Sequence, residues 1–123
     1  MSTWSQDDLR RIADAEEVDV APLGKDGVTY RKPTTIWAVA LDGALYVRAY
    51  KGPESRWYQA ALQNKRGEIT ATGATKQVSF EPVDGPINAR IDDAYRAKYG
   101  RSPYVVGIVG ALARSATLKV TPC

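Results

Sequence analysis

Thr34-Thr35-Ile36-Trp37-Ala38-Val39-Ala40-Leu41-Asp42-Gly43-Ala44-Leu45-Tyr46-Val47-Arg48-Ala49-Tyr50 places two β-rich runs on either side of Asp-Gly. That dipeptide accepts positive φ at both central positions of a type I′ turn, so the stretch predicts a two-residue β-hairpin. The loop length then fixes the register. Leu41 opposes Ala44, Val39 opposes Tyr46, Trp37 opposes Arg48 and Thr35 opposes Tyr50, while the other face pairs Ala40 with Leu45, Ala38 with Val47 and Ile36 with Ala49. The second face is small and aliphatic and suits the interior of a tight barrel. The first gathers Trp37, Tyr46, Arg48 and Tyr50, an aromatic surface that calls for a cover, either another subunit or a planar ligand.

Beyond the hairpin, Lys51-Gly52-Pro53-Glu54 leads into Ser55, a good N-cap, and then into Arg56 to Asn64, where Trp57 with Ala61 and Tyr58 with Leu62 fall at helical spacing. A helix start carries free N–H groups and the positive end of the helix dipole, and Arg48, Lys51 and Arg56 cluster around this one in sequence. Two readings stand. The turn is a phosphate or carboxylate site, or it is an ordinary capped helix whose charges are solvated or paired with Glu54. Thr34 and Thr35 carry the same ambiguity: hydroxyls and amides offered to a ligand edge, or two common strand residues.

The chain of 123 residues reads as one domain, 1–123, long enough to bury about two-thirds of its unfolded surface. Seventeen Lys and Arg against fourteen Asp and Glu give +3, with no dense basic run, which excludes a nucleic-acid binder as the first reading and leaves room for anionic small molecules. The one cysteine, Cys123, and the absence of histidine exclude an internal disulfide, a Ser-His-Asp or Cys-His site and any His-based metal site. No apolar run reaches the roughly 20 residues of a membrane span, and Met1 to Val20 is charged without a signal-peptide core, so a cytoplasmic protein is expected. No catalytic residue is legible.

Outward from the hairpin, Ser5 with Asp8 forms a capping-box variant, with Trp4 and Leu9 as its hydrophobic staple, for a helix from Gln6 to Glu16. Val18 to Ala21 and Val28 to Tyr30 read as short strands; Lys65-Arg66-Gly67 ends the Ser55 helix; Glu68 to Thr72 and Thr75 to Pro82 are half-exposed strands. Pro86 opens a helix through Tyr99, with Ile91, Ala94, Tyr95 and Lys98 or Tyr99 in its stripe and Gly100 as the expected left-handed stop. Tyr104 to Val109 reads as a buried strand, Ala111 to Ala113 is ambiguous, and Ala116 to Val120 closes the sheet. Six or seven mainly antiparallel strands with about three helices predict an α+β domain whose sheet closes on itself as a split barrel.

Several of these stretches resemble a known group: Pro33-Thr34-Thr35-Ile36-Trp37, Leu45-Tyr46-Val47-Arg48, Trp57-Tyr58, Ala94-Tyr95-Arg96-Ala97-Lys98-Tyr99-Gly100 and Ala116-Thr117-Leu118. They look like an uncharacterised bacterial family of the flavin-binding split β-barrel superfamily, which includes pyridoxamine phosphate oxidases and deazaflavin-dependent nitroreductases. The resemblance implies a cofactor phosphate held at the end of the hairpin and the start of the next helix, by Arg48, Tyr50, Lys51, Ser55, Arg56 and Trp57. It places Thr34 and Thr35 along the isoalloxazine edge, with Trp37 beside Trp57 as lining. It implies a homodimer with FMN or deazaflavin at the subunit interface, acting as an oxidoreductase. Two departures argue for a second reading. Arg56-Trp57 lacks the paired Arg-Lys of the oxidases, and the Gly-, Arg- and Ser-rich stretch of the nitroreductases is reduced to Gly27 to Lys32. A chain without cofactor would then bind another small anionic or aromatic ligand, or serve as a structural dimer.

Overall fold

A computed structural model describes residues 3–123; of the amphipathic N-terminal stretch, Met1 and Ser2 lie outside the described residues. Seven strands form one antiparallel sheet: β1 (Val18–Pro22), β2 (Thr34–Ile36), β3 (Ala38–Leu41), β4 (Ala44–Arg48), β5 (Arg66–Ala71), β6 (Ala74–Pro82) and β7 (Thr117–Pro122). Their order is β2-β1-β5-β6-β7-β4-β3. The two outermost strands, β2 and β3, are separated in sequence by Trp37 alone, so the sheet curls into a nearly closed barrel. The α+β split-barrel expectation holds.

At the centre, Asp42 (φ 51°) and Gly43 (φ 78°) make the expected turn, and Leu41–Ala44, Ala40–Leu45, Val39–Tyr46 and Ala38–Val47 pair in the expected register. The expected pairs beyond them do not form. β2 leaves the hairpin at Trp37 and joins β1 instead, with Val18 opposite Ile36 and Val20 opposite Thr34. That break strands the carbonyls of Trp37 and Ala38, and an orphaned polar group costs free energy unless it finds a partner. The helix α3 (Ile87–Tyr99) supplies one for each: Tyr95 Oη donates to Trp37 O at 3.0 Å, and Lys98 Nζ donates to Ala38 O at 2.7 Å.

The two faces of the hairpin enter two cores. Ala38, Leu45 and Val47 turn into the barrel with Val20, Ile69, Val78 and Leu118, plugged by Ile12 of α1 (Gln6–Asp14) and by Trp57, Tyr58 and Ala61 of α2 (Arg56–Asn64). Val39 and Tyr46 face outward under Ile91, Tyr95 and Tyr99 of α3. The cover expected from a subunit or a ligand is thus, for Tyr46, a helix of the same chain.

Ser5 Oγ caps α1 through the Asp8 amide at 3.1 Å, and Trp4 and Leu9 pack against the barrel core, as the staple predicts. Elsewhere local propensity is overruled. Val28 to Tyr30 makes only an isolated bridge between Leu23 and Tyr30. Lys65 (φ 61°), not Gly67, ends α2 in the left-handed conformation; Gly67 belongs to β5, where a Cβ would stand 2.6 Å from Ala21 O. Gly100 stays right-handed (φ −58°), and the chain runs on. The expected strand at Tyr104 to Val109 is instead a short helix, α4 (Val105–Ile108), followed by α5 (Ala111–Arg114). The position beside β4 is already filled by β7, and helical turns aim the Ile108 and Val109 carbonyls at Arg48 and Arg114, at 3.1 and 3.2 Å.

Arg48 joins these layers. It ends β4, is 1% exposed, and engages all five of its N–H donors. Nε donates to Thr117 Oγ1 (3.0 Å); one terminal nitrogen donates to Asp92 and Ile108 O (3.1 Å), the other to Asn88 O (3.2 Å) and Asn88 Oδ1 (3.0 Å). The guanidinium also lies 5.4 Å from the Tyr95 ring centroid. Asp92 takes a second arginine, Arg114, at 2.5 Å from the solvent side. Removing one partner from a buried pair leaves a bare charge, at a cost of about 3–5 kcal/mol. Urea unfolding should therefore show Asp92→Ala and Arg48→Ala destabilised by about that amount, and Arg48→Lys by more than about 1 kcal/mol because an ammonium cannot reproduce the five-donor fork. Arg114→Ala, at a half-exposed position, should cost about 1 kcal/mol or less; an Arg48→Lys protein as stable as the parent would refute this account.

Candidate functional site

After β4 the chain makes two tight turns. Gly52 N bonds to Ala49 O at 2.9 Å and Ser55 N to Gly52 O at 3.1 Å, which returns the start of α2 to the side of β2. Gly52 sits at φ 87°, and a Cβ there would stand 2.6 Å from the Leu112 side chain, so only glycine lets this turn lie against α5. Between β2 and the α2 start lies a cleft of about 510 Å³, lined by Thr34, Thr35, Ile36, Tyr50, Lys51, Glu54, Ser55, Arg56 and Trp57. It shares Thr35, Ile36 and Tyr50 with a smaller, mostly apolar pocket of about 290 Å³ that also meets Trp37, Arg48, Tyr104 and Ile108. A third hollow of about 450 Å³ continues past Thr34, Arg56 and Trp57 to Arg31, Lys32 and Pro33.

All nine residues expected at the site therefore line two adjoining clefts, but they stand there in different states. Lys51 and Arg56 are exposed, and neither forms an ion pair with Glu54 or any other described carboxylate. Ser55 occupies the N-cap position of α2, yet its hydroxyl makes no capping bond, so the first-turn amides have no side-chain partner. Thr34 is half-buried on the edge strand, and the Thr35 hydroxyl donates to Asp19 Oδ1 at 2.7 Å. Tyr50 is half-exposed, edge-on to Tyr104 at 6.3 Å.

The remaining three are held by the protein itself. Trp37 stacks flat on Tyr99, with ring centroids 4.0 Å apart and planes within 2°. Trp57 is buried in the barrel core and shows only part of its ring to the cleft. Arg48 forms the inner wall with no N–H left for a ligand. The phenols behind this wall stay neutral: burial drives Tyr95 well above its ordinary range and Tyr99 up to about 12.

Sequence reasoning missed Tyr104, Gly107 and Ile108, because that segment reads as a strand. Gly107 is what admits Tyr50, since a Cβ there would lie 2.5 Å from the Tyr50 hydroxyl oxygen. Asn88 and Asp92 were legible in principle: they sit at i and i+4 on the stripe that holds Ile91 and Tyr95, where polar residues signal a buried partner. The arrangement offers charge and hydrogen-bond donors at one end and an aromatic wall at the other. It suits holding a ligand.

The two serine caps make a controlled comparison. Ser5→Ala removes a real capping bond and should cost about 1 kcal/mol in urea unfolding. Ser55→Ala removes none and should stay within about 0.5 kcal/mol of the parent; an equal loss at both would show that Ser55 is simply a cap.

Residues 8–120 match a family described as an uncharacterized protein conserved in bacteria, DUF2255. No curated protein matches the sequence. Among solved structures the fold is similar to the conserved hypothetical protein Rv2991 of Mycobacterium tuberculosis, with TM-score 0.65 and 14% identity over 99% of this chain and 81% of that one. A candidate 5-nitroimidazole antibiotic resistance protein of Bacteroides thetaiotaomicron gives TM-score 0.66 and 12% identity, over 99% and 81%. Campylobacter jejuni ChuZ gives 0.66 and 15%, over 94% of this chain and 51% of that one, about half of ChuZ's length. At such identities the likeness is one of fold. With the match spanning most of its length and a split β-barrel beneath it, the chain belongs to the bacterial DUF2255 family.

Proposed function

We infer that the adjoining clefts bind a small ligand with a phosphate or carboxylate at the start of α2 and a planar body along β2 toward Trp37, Tyr50 and Tyr104. The observation that carries this reading is the set of unengaged donors at one point of the wall. Lys51, Arg56, the Ser55 hydroxyl and the first-turn amides of α2 open together onto a cleft continuous with an aromatic pocket. Along the cleft, β2 is the edge strand of the sheet, and its outer row of backbone N–H and C=O groups is free to bond the rim of a flat ligand.

FMN and deazaflavin have this chemistry, a phosphate on a planar heterocycle, and the donor set at α2 fits the phosphate. Such a cofactor supplies hydride transfer when bound. Lys51 and Arg56 would neutralise the phosphate, Ser55 would donate to it, Thr34 and Thr35 would follow the ring edge, and Trp37 and Trp57 would exclude water from one side. The chain then acts as a flavin- or deazaflavin-dependent oxidoreductase. A second reading rests on Arg48. Its full internal engagement leaves the phosphate end with two side-chain cations, which favours a simpler anionic ligand and no flavin.

Tryptophan quenching and thermal shifts with FMN, FAD, deazaflavin and inorganic phosphate separate the two. Any of them at a hundred times its dissociation constant should add about 2.7 kcal/mol of stability. A shift with one flavin, lost in a Lys51→Ala, Arg56→Ala double variant of parental stability, supports the cofactor; a shift with phosphate alone supports the second reading. No shift with any of the four refutes both.

A homodimer over the same face is part of this proposal. Tyr104 (63% exposed), Val106 (74%) and Leu112 (60%) lie beside the pocket as an uncovered apolar patch. Sedimentation should find a dimer in the parent and a monomer in Val106→Glu; a monomeric parent would end this part of the reading.

A further inference from the structure

A separate cleft of about 630 Å³ shares only Trp37 with those above and is centred on the last turn of α3. Lys98 stands in it, half-buried, with Nζ 2.7 Å from Ala38 O and 5.0 Å from the Tyr99 ring centroid. Among the described residues Lys98 has no ion-pair partner. The other charges facing it are Asp14 at the end of α1 and Glu16 just beyond it, and Arg96 and Arg101 from α3 and the turn beyond. The hairpin side presents only the Ala38 carbonyl and the Trp37 ring.

An amine fixed by one hydrogen bond, poorly hydrated and unpaired, is the kind of lysine that serves as a nucleophile. Desolvation pulls the ammonium down to about 8, with Asp14 opposing the shift. Arg96 and Arg101 on the same rim can receive an anionic group, although Arg96 also holds Asp93 at 3.1 Å. We propose that Lys98 is an acylation site, at which a small acyl phosphate recruited by Arg96 and Arg101 transfers its acyl group to Nζ. The neutral amine attacks the carbonyl carbon, an N–C bond forms, and the bond from that carbon to the phosphate oxygen breaks. The electron pair leaves with inorganic phosphate and the amine proton passes to solvent. No oxidant or reductant is needed. The resulting amide keeps an N–H for Ala38 O and loses the cation that faced Tyr99.

The test is site-resolved mass spectrometry of the intact chain treated briefly with acetyl phosphate between pH 6.5 and 9.5. At pH 7.5 Lys98 should be acetylated about tenfold faster than the exposed Lys25 and Lys65, because an ammonium lowered to about 8 gains more in neutral amine than it loses in nucleophilicity. Its rate should level off just above pH 8. An Arg96→Gln, Arg101→Gln double variant alters exposed positions only, so it should fold as the parent does. It should react several-fold more slowly at Lys98 with acetyl phosphate and at an unchanged rate with uncharged N-acetoxysuccinimide. Equal rates at Lys98, Lys25 and Lys65 would overturn the proposal, as would a double variant that reacts with acetyl phosphate like the parent.

Discussion

The buried guanidinium of Arg48 is the constraint on which the rest of the structure depends. A cation taken out of water must have every donor met, because the interior offers no solvent to complete the shell. Here the five acceptors come from α3, α4 and β7, so those elements can occupy only the positions that bring Asn88, Asp92, Ile108 and Thr117 to the end of β4. The outer core of Tyr46, Ile91, Tyr95 and Tyr99 packs around that placement. The same geometry makes Arg48 a wall of the cleft and withdraws it from ligand binding.

A second constraint acts at Trp37. The chain must leave β3 to let β2 pair with β1, and the barrel stays open along that seam. Opening a sheet leaves carbonyls without partners; α3 answers with Tyr95, Lys98 and Tyr99, all on one side of the helix. The seam adjoins both candidate surfaces. On one side, β2 is an edge strand beside the α2 start, where the cleft proposed to hold an anion lies. On the other, Lys98 is held against a carbonyl in a half-buried corner, the setting of the proposed acylation.

Much of the candidate site was readable because its signals are local. Gly52, Ser55 and the cations at Lys51 and Arg56 lie within six residues, and a turn followed by a helix start needs no distant contact to form. The staple of Trp4 and Leu9 and the turn at Asp42-Gly43 were readable for the same reason. Tyr104 to Val109 was not. Its Val-Val and Ile-Val pairs favour a strand in isolation, but β7 already occupies the position beside β4, and the buried Arg48, 60 residues away, and the half-exposed Arg114, five residues away, claim its carbonyls.

By itself the sequence determined the hairpin register from Ala38 to Val47 and the α+β split-barrel class, and it named the residues that line the two candidate clefts, since turn chemistry, period-two alternation and capping are short-range effects. Only the tertiary structure decided which side chains remain free to act. Arg48 and Lys51 stand three residues apart on one strand end, and nothing local separates a cation turned inward onto Asp92 from one left in water. That difference belongs to α3, some forty residues on, because the energy of a charge is set by what surrounds it after the chain has folded.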